Sequence, residues 1–158
     1  MALIQEHLPA FIEPLKLLPH RAGRRSVKAN LAEVLEAFLT WHQKLIPVFS
    51  AVNADPGLSE ALRIRLAERK EGPHLAVAAV EQYLMAEQEL GRVNPKANPK
   101  ATVMLLFGAS HYWNSVRHAV GNDLGYSREK LMKDMLDSLF AGLAMPEKRT
   151  HGKVARTA

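Results

Sequence analysis

The chain contains no cysteine. It therefore forms no disulfide, offers no thiolate nucleophile and cannot build a zinc–thiolate site. No apolar run approaches the roughly 20 residues that a membrane-spanning helix needs. The first residues lack the basic and apolar regions of a signal peptide. These absences exclude disulfide scaffolds and membrane-spanning proteins, and they predict a cytoplasmic protein with no membrane partner.

Patterns that carry catalysis are also missing. The 9 glycines do not gather into a phosphate-binding loop. The 7 histidines include no pair three or four residues apart, the spacing that places two metal ligands on one helix face. No serine, lysine or carboxylate stands in a recognisable nucleophile setting. We therefore predict a protein that is not an enzyme and holds neither a metal nor a cofactor.

The net charge of +5 first suggests a nucleic-acid partner. The excess, however, lies in two short stretches, residues 20–28 and the tail 146–158, while the remaining chain is nearly neutral. No segment has the two short helices and tight turn of a helix-turn-helix, and the basic stretches lack interleaved aromatics. The sequence predicts a solvated loop, a disordered tail and only weak, salt-sensitive association with DNA.

The apolar residues, 47% of the chain, recur at spacings of three and four. This periodicity predicts an all-α domain over residues 1–145. Ser26 and Asn98 have the side chains of helix N-caps, and Pro47 is expected to kink or divide its helix. About six helices are predicted, over residues 2–18, 27–53, 58–70, 73–90, 100–120 and 128–143.

The last two predicted helices carry more apolar surface than one small bundle needs. The helix over 100–120 is apolar almost all round, so we expect it to be covered on more than one side. Either the other helices cover it or a second copy does, and a homodimer with a four-helix interface is the preferred prediction. The candidate interface residues are Leu105, Gly108, Ala109, Tyr112, Met135, Leu139 and Phe140.

Several aromatic and polar side chains occur together in the core-facing patterns. Apolar walls with a few placed polar groups are typical of small-molecule pockets between helices, although aromatics also fill plain cores. We predict a pocket for a small hydrophobic or amphipathic ligand, with His111 or Asn114 orienting a polar group of the ligand. The candidate pocket residues are Trp41, His42, Phe49, Tyr83, Phe107, His111, Trp113 and Asn114.

Five stretches of sequence carry a resemblance to a known family. They are LAEVLEAFLTWH at 31–42, VNADPGL at 52–58, ELGRV at 89–93, ANPKATVMLLFGASHYW at 97–113 and LDSLFAGL at 136–143. Together with the order of the helices, they resemble the C-terminal domain of the tetracycline-repressor (TetR) family of bacterial transcription regulators.

The resemblance implies a ligand-sensing and dimerisation domain, paired through its last two long helices. In such repressors, ligand binding releases an operator that is held by an N-terminal helix-turn-helix, which this chain is expected to lack. DNA would then be a partner only through that missing part. The alternative is a standalone all-helical dimeric interaction protein without a ligand.

Overall fold

The computed structural model describes residues 11–69 and 72–143, and these residues contain helices and no strand. Residues 11–17 form α1, which runs into a 3₁₀ helix at Leu18–Arg21. The longer helices follow as α2 Val27–Ala54, α3 Pro56–Arg69, α4 Pro73–Glu89, α5 Pro99–Val120 and α6 Arg128–Leu143. The all-α prediction is confirmed, whereas the predicted tail and the predicted start at residues 2–10 lie outside the described residues.

Helix ends follow the local chemistry of the sequence. The Ser26 hydroxyl accepts a hydrogen bond from the Ala29 amide, and the side-chain oxygen of Asn98 accepts one from the Ala101 amide. Each satisfies a backbone donor that the first helical turn leaves free. At the far end of α5, Gly121 adopts the left-handed conformation, which a residue without a Cβ reaches at little cost.

Helix α2 is the centre of the fold, because α3, α5 and α6 all pack against it. Helix α5 also packs against α4, and the 3₁₀ helix lies on α4. Pro47 lies inside α2, which is nevertheless one helix of 28 residues, so the predicted division does not occur. The side chains that α2 buries are spaced as in an amphipathic helix, and they include Leu31, Leu35, Leu39 and Leu45.

Two faces of α5 are covered and a third is open. Leu106 and Phe107 are buried, as are Ser110 and Trp113. Leu105 and Tyr112, by contrast, are more than half exposed, at 64% and 61%. The near-continuous apolar sequence of α5 therefore has more apolar surface than residues 11–69 and 72–143 cover.

Candidate functional site

An aromatic cluster fills the space between α1, α2 and α5. Helix periodicity places Phe38, Trp41 and Phe49 on one side of α2, because they are separated by three and eight residues, which is close to whole helical turns. The rings of Phe38 and Phe107 stack with centroids 4.6 Å apart, and those of Phe11 and Trp41 stack at 4.8 Å. The aromatic cluster consists of Phe11, Phe38, Trp41, Phe49 and Phe107.

A chain of hydrogen bonds, here termed the histidine relay, borders the aromatic cluster. It consists of Asn114, His42 and His111. The Asn114 amide nitrogen lies 3.2 Å from His42 Nδ1 and 3.3 Å from the Leu39 carbonyl oxygen. His42 Nε2 in turn lies 2.7 Å from His111 Nδ1. Buried His42 of α2 is thus joined to exposed His111 of α5 through their imidazole rings.

The position of each proton in the histidine relay follows from the Leu39 carbonyl. A carbonyl only accepts, so the nitrogen of the Asn114 amide, and not its oxygen, faces Leu39 and His42. His42 Nδ1 therefore accepts a hydrogen bond, and its Nε2–H donates to His111 Nδ1. The neutral His111 ring then carries its own proton on Nε2, the nitrogen that lies away from His42.

The histidine relay holds His42 in the neutral form. Its side chain is 3% exposed. Burial, and to a smaller extent repulsion from a charged His111, together lower the pKa of His42 from 6.5 to about 4. At neutral pH the ring is therefore a fixed hydrogen-bonding group rather than a charge.

This low pKa predicts a pH dependence of stability. Between pH 6.5 and 4 the unfolded chain binds a proton at His42 that the folded chain does not bind, so the free energy of unfolding falls as pH falls. The contribution of His42 to this fall reaches about 3 kcal/mol at pH 4. Urea unfolding at a series of pH values measures it.

His42→Gln removes the titrating group, so the free energy of unfolding should fall by about 3 kcal/mol less between pH 6.5 and 4 than it does in the wild type. The matched control is His118→Gln, because His118 is exposed on the same helix as His111. This control should keep the wild-type dependence of the free energy of unfolding on pH. The same dependence in the wild type and in His42→Gln would contradict a low pKa for His42.

The structure brings six of the eight predicted pocket residues together and separates two. Trp41, His42, Phe49, Phe107, His111 and Asn114 belong to the aromatic cluster or the histidine relay. Tyr83 lies elsewhere, fully buried on α4, where its hydroxyl accepts a hydrogen bond of 2.8 Å from Asn30. Trp113 faces the α5–α6 loop, and its indole N–H donates to the Asp123 carbonyl at 2.9 Å.

Sequence reasoning missed two members of the aromatic cluster. Phe38 lies in the predicted apolar stripe of α2, one turn before Trp41 and His42, and its spacing from them is a usable signal. Phe11 gives no such signal, because only tertiary contact brings α1 onto Trp41. The indole N–H of Trp41 is buried and has no hydrogen-bond acceptor among the described residues.

The predicted dimer residues divide between an open face and a half-buried one. Gly108 and Ala109 are exposed like Leu105 and Tyr112, and a Cβ at Gly108 would meet no atom within 4 Å. The term "α5 face" denotes the exposed surface made by Met104, Leu105, Gly108, Ala109 and Tyr112. The candidates on α6, which are Met135, Leu139 and Phe140, are half-buried and pack against the core.

Ion pairs occupy much of the basic stretch 20–28. The Glu33 carboxylate lies 2.6 Å from the Arg21 guanidinium and 2.9 Å from that of Arg25, and these two cations lower its pKa. Lys28 pairs with Asp137 of α6. Charges paired in this way are less available to phosphate groups.

An open depression of about 540 Å³ lies on α3, outside the aromatic cluster and the histidine relay. Ala61, Ile64, Arg65 and Glu68 line it, and none belongs to the aromatic cluster or the histidine relay. Because a single helix supplies all of these side chains, the depression does not enclose a ligand on several sides, as binding pockets do.

Comparison with known proteins gives no relative, since no family model, curated protein or solved structure matches the chain. In residues 11–69 and 72–143, no three histidine, aspartate or glutamate side chains are grouped to hold a metal ion. Within the same residues, no helix is long and apolar enough to cross a membrane. The functional inference therefore depends on the chain's own residues.

Proposed function

We propose that this chain is the ligand-sensing and dimerisation domain of a TetR-like bacterial transcription regulator. The observation that carries the proposal is the position of His111. Its ring accepts a hydrogen bond from buried His42 beside the aromatic cluster, and its side chain is exposed one turn from Gly108 and next to Tyr112. One residue thus connects a candidate ligand site with a candidate interface.

The aromatic cluster supports the ligand-sensing part of the proposal. Trp41 and Phe49 are only partly buried, and their ring centroids lie 5.9 Å apart in an edge-to-face arrangement. They offer apolar walls beside the polar histidine relay, the combination that ligand sites between helices use. A ligand seated there would contact side chains from both α2 and α5.

The α5 face supports the dimerisation part. Met104, Leu105 and Tyr112 are 56%, 64% and 61% exposed, whereas contiguous apolar patches of this kind are uncommon on monomers. Gly108 and Ala109 between them allow two helices to approach closely.

Coupling between the two regions would follow the regulators that the sequence resembles. A ligand that displaces or reorients His111 changes the edge of the α5 face, and so changes the relative stability of two arrangements of a dimer. Such a population shift requires only that the ligand binds one arrangement more tightly than the other. The proposal assigns no catalytic step to the chain.

A ligand screen combined with sedimentation tests the proposed function. Hydrophobic or amphipathic small molecules should raise the melting temperature, because a ligand that binds only the folded state stabilises it. At tens of micromolar the chain should sediment as a dimer. A monomer at that concentration would contradict the interface, and silence across a broad screen would contradict the sensing role.

The second candidate is a standalone all-helical dimeric interaction protein that binds no ligand. The close ring stacking, with centroids 4.6 Å and 4.8 Å apart, favours it, because rings in such contact also fill a closed core. A dimer that persists while no compound shifts the melting temperature would select this candidate.

A further inference from the structure

Two N–H groups at the candidate site are without an acceptor among the described residues. The first belongs to Trp41, whose indole nitrogen is buried and makes no hydrogen bond there. A buried donor without a partner costs about 1–3 kcal/mol, so structures normally supply one. A ligand that brings an acceptor would remove this cost.

The second donor is set by the histidine relay. Since His111 Nδ1 accepts the hydrogen bond from His42 Nε2–H, the proton of the neutral His111 ring is on Nε2. The His111 side chain is exposed, so this N–H is accessible. Rotating the ring to present an acceptor instead would break the 2.7 Å hydrogen bond to His42.

No carboxylate of the described residues is bonded to the groups around these donors. Within the described residues, none of the ion pairs and none of the carboxylate hydrogen bonds involves a member of the aromatic cluster or the histidine relay. A cation would attract the faces of the rings but would meet two N–H groups with no carboxylate to balance it. An acceptor or an anion is the better complement.

We infer that the site takes a planar aromatic molecule bearing a carboxylate or carbonyl group. Its ring lies against Trp41 and Phe49, and its oxygen accepts hydrogen bonds from the indole N–H of Trp41 and from His111 Nε2–H. The inference rests on the proposed sensing function and names the ligand class of that same site.

Isothermal titration with three probes of one ring system tests this ligand class. The probes are 1-naphthylacetate, 1-naphthylacetamide and 1-naphthylmethylammonium, which carry an anionic acceptor, a neutral acceptor and a cation. We expect the acetate and the acetamide to bind at least tenfold more tightly than the ammonium. Equal or tighter binding of the ammonium would overturn the inference in favour of cation–ring attraction.

Four variants test which residues cause the preference for the acetate and the acetamide over the ammonium. Trp41→Phe keeps a ring and removes the N–H, and His111→Leu removes the second donor, so each should reduce the preference for an acceptor about fivefold to tenfold, the value of one hydrogen bond. His111→Gln should retain most of it, because a glutamine amide both accepts from His42 and donates outward. His118→Leu, on the exposed side of the same helix, is the matched control and should change nothing.

The outcomes separate the ligand class from the sensing role. A preference that survives in both Trp41→Phe and His111→Leu would overturn the assigned donors. Silence of all three probes, while other compounds stabilise the chain, would overturn the ligand class and leave the sensing role standing. Silence of the probes and of the whole screen would overturn both.

Discussion

Leu105→Glu is expected to turn a dimer of this chain into a monomer. Leu105 is 64% exposed, compared with 61% for Tyr112 and 56% for Met104, so its side chain contributes little to the packing of the single chain. In a symmetric dimer the same residue enters the interface twice, and burying two unpaired carboxylates there costs several kcal/mol. We expect the dimer dissociation constant to rise at least a hundredfold in sedimentation equilibrium.

The matched control for this variant is Met85→Glu. Met85 is an exposed apolar residue on α4, 50% accessible and outside the α5 face, so the substitution introduces the same charge at a comparable exposure. It should leave the dissociation constant within about twofold. If Leu105→Glu remains dimeric, or if both variants weaken association equally, the α5 face is not the interface.

Glu87→Ala is expected to reduce the free energy of unfolding by about 3–5 kcal/mol, the usual cost of breaking a buried ion pair by removing one partner. Glu87 is fully buried. One carboxylate oxygen accepts a hydrogen bond of 3.2 Å from the Gly23 amide, and the other lies 3.3 Å from the Arg92 guanidinium. Alanine would leave a backbone donor and a partly buried guanidinium without their partner.

Urea unfolding at one fixed protein concentration measures this loss, because the stability of a chain that dimerises would also depend on its concentration. Glu87→Gln keeps an oxygen for the Gly23 amide but loses the charge that faces Arg92, so we expect an intermediate loss. Glu89→Ala is the control, because Glu89 is exposed on the same helix, and it should cost less than about 0.5 kcal/mol. A loss below 1 kcal/mol for Glu87→Ala would show that the stability of the fold does not depend on the contacts of this carboxylate with Gly23 and Arg92.

Local signals in the sequence predicted the helices well. The predicted helix over 27–53 is observed as Val27–Ala54, and that over 128–143 is observed as Arg128–Leu143. Ser26 and Asn98 accept the capping hydrogen bonds that their positions indicate. Capping and periodicity involve residues within one or two turns of each other, so a single sequence contains the necessary information.

The candidate site was predicted less completely, because its members come from separate helices. The pairing of His42 with His111 spans 69 residues, and that of Asn114 with His42 spans 72. Both histidines belonged to the predicted pocket, but helix periodicity gave no reason to place their rings in contact. Tyr83 has the aromatic character of a pocket wall, yet it is fully buried and hydrogen-bonded to Asn30, away from the aromatic cluster.

The sequence by itself determined the class of the fold, the positions of the helices and the uneven distribution of charge. Each depends on composition or on interactions between near neighbours along the chain. Tertiary structure alone decided that α2 is the central helix and that the charges of residues 20–28 pair with Glu33 and Asp137. It also decided the direction of the hydrogen bonds through His42. The reason is physical: the rotation of each helix about its axis, and hence which side chains meet, is set by packing against the other helices and not by the residues within the helix itself.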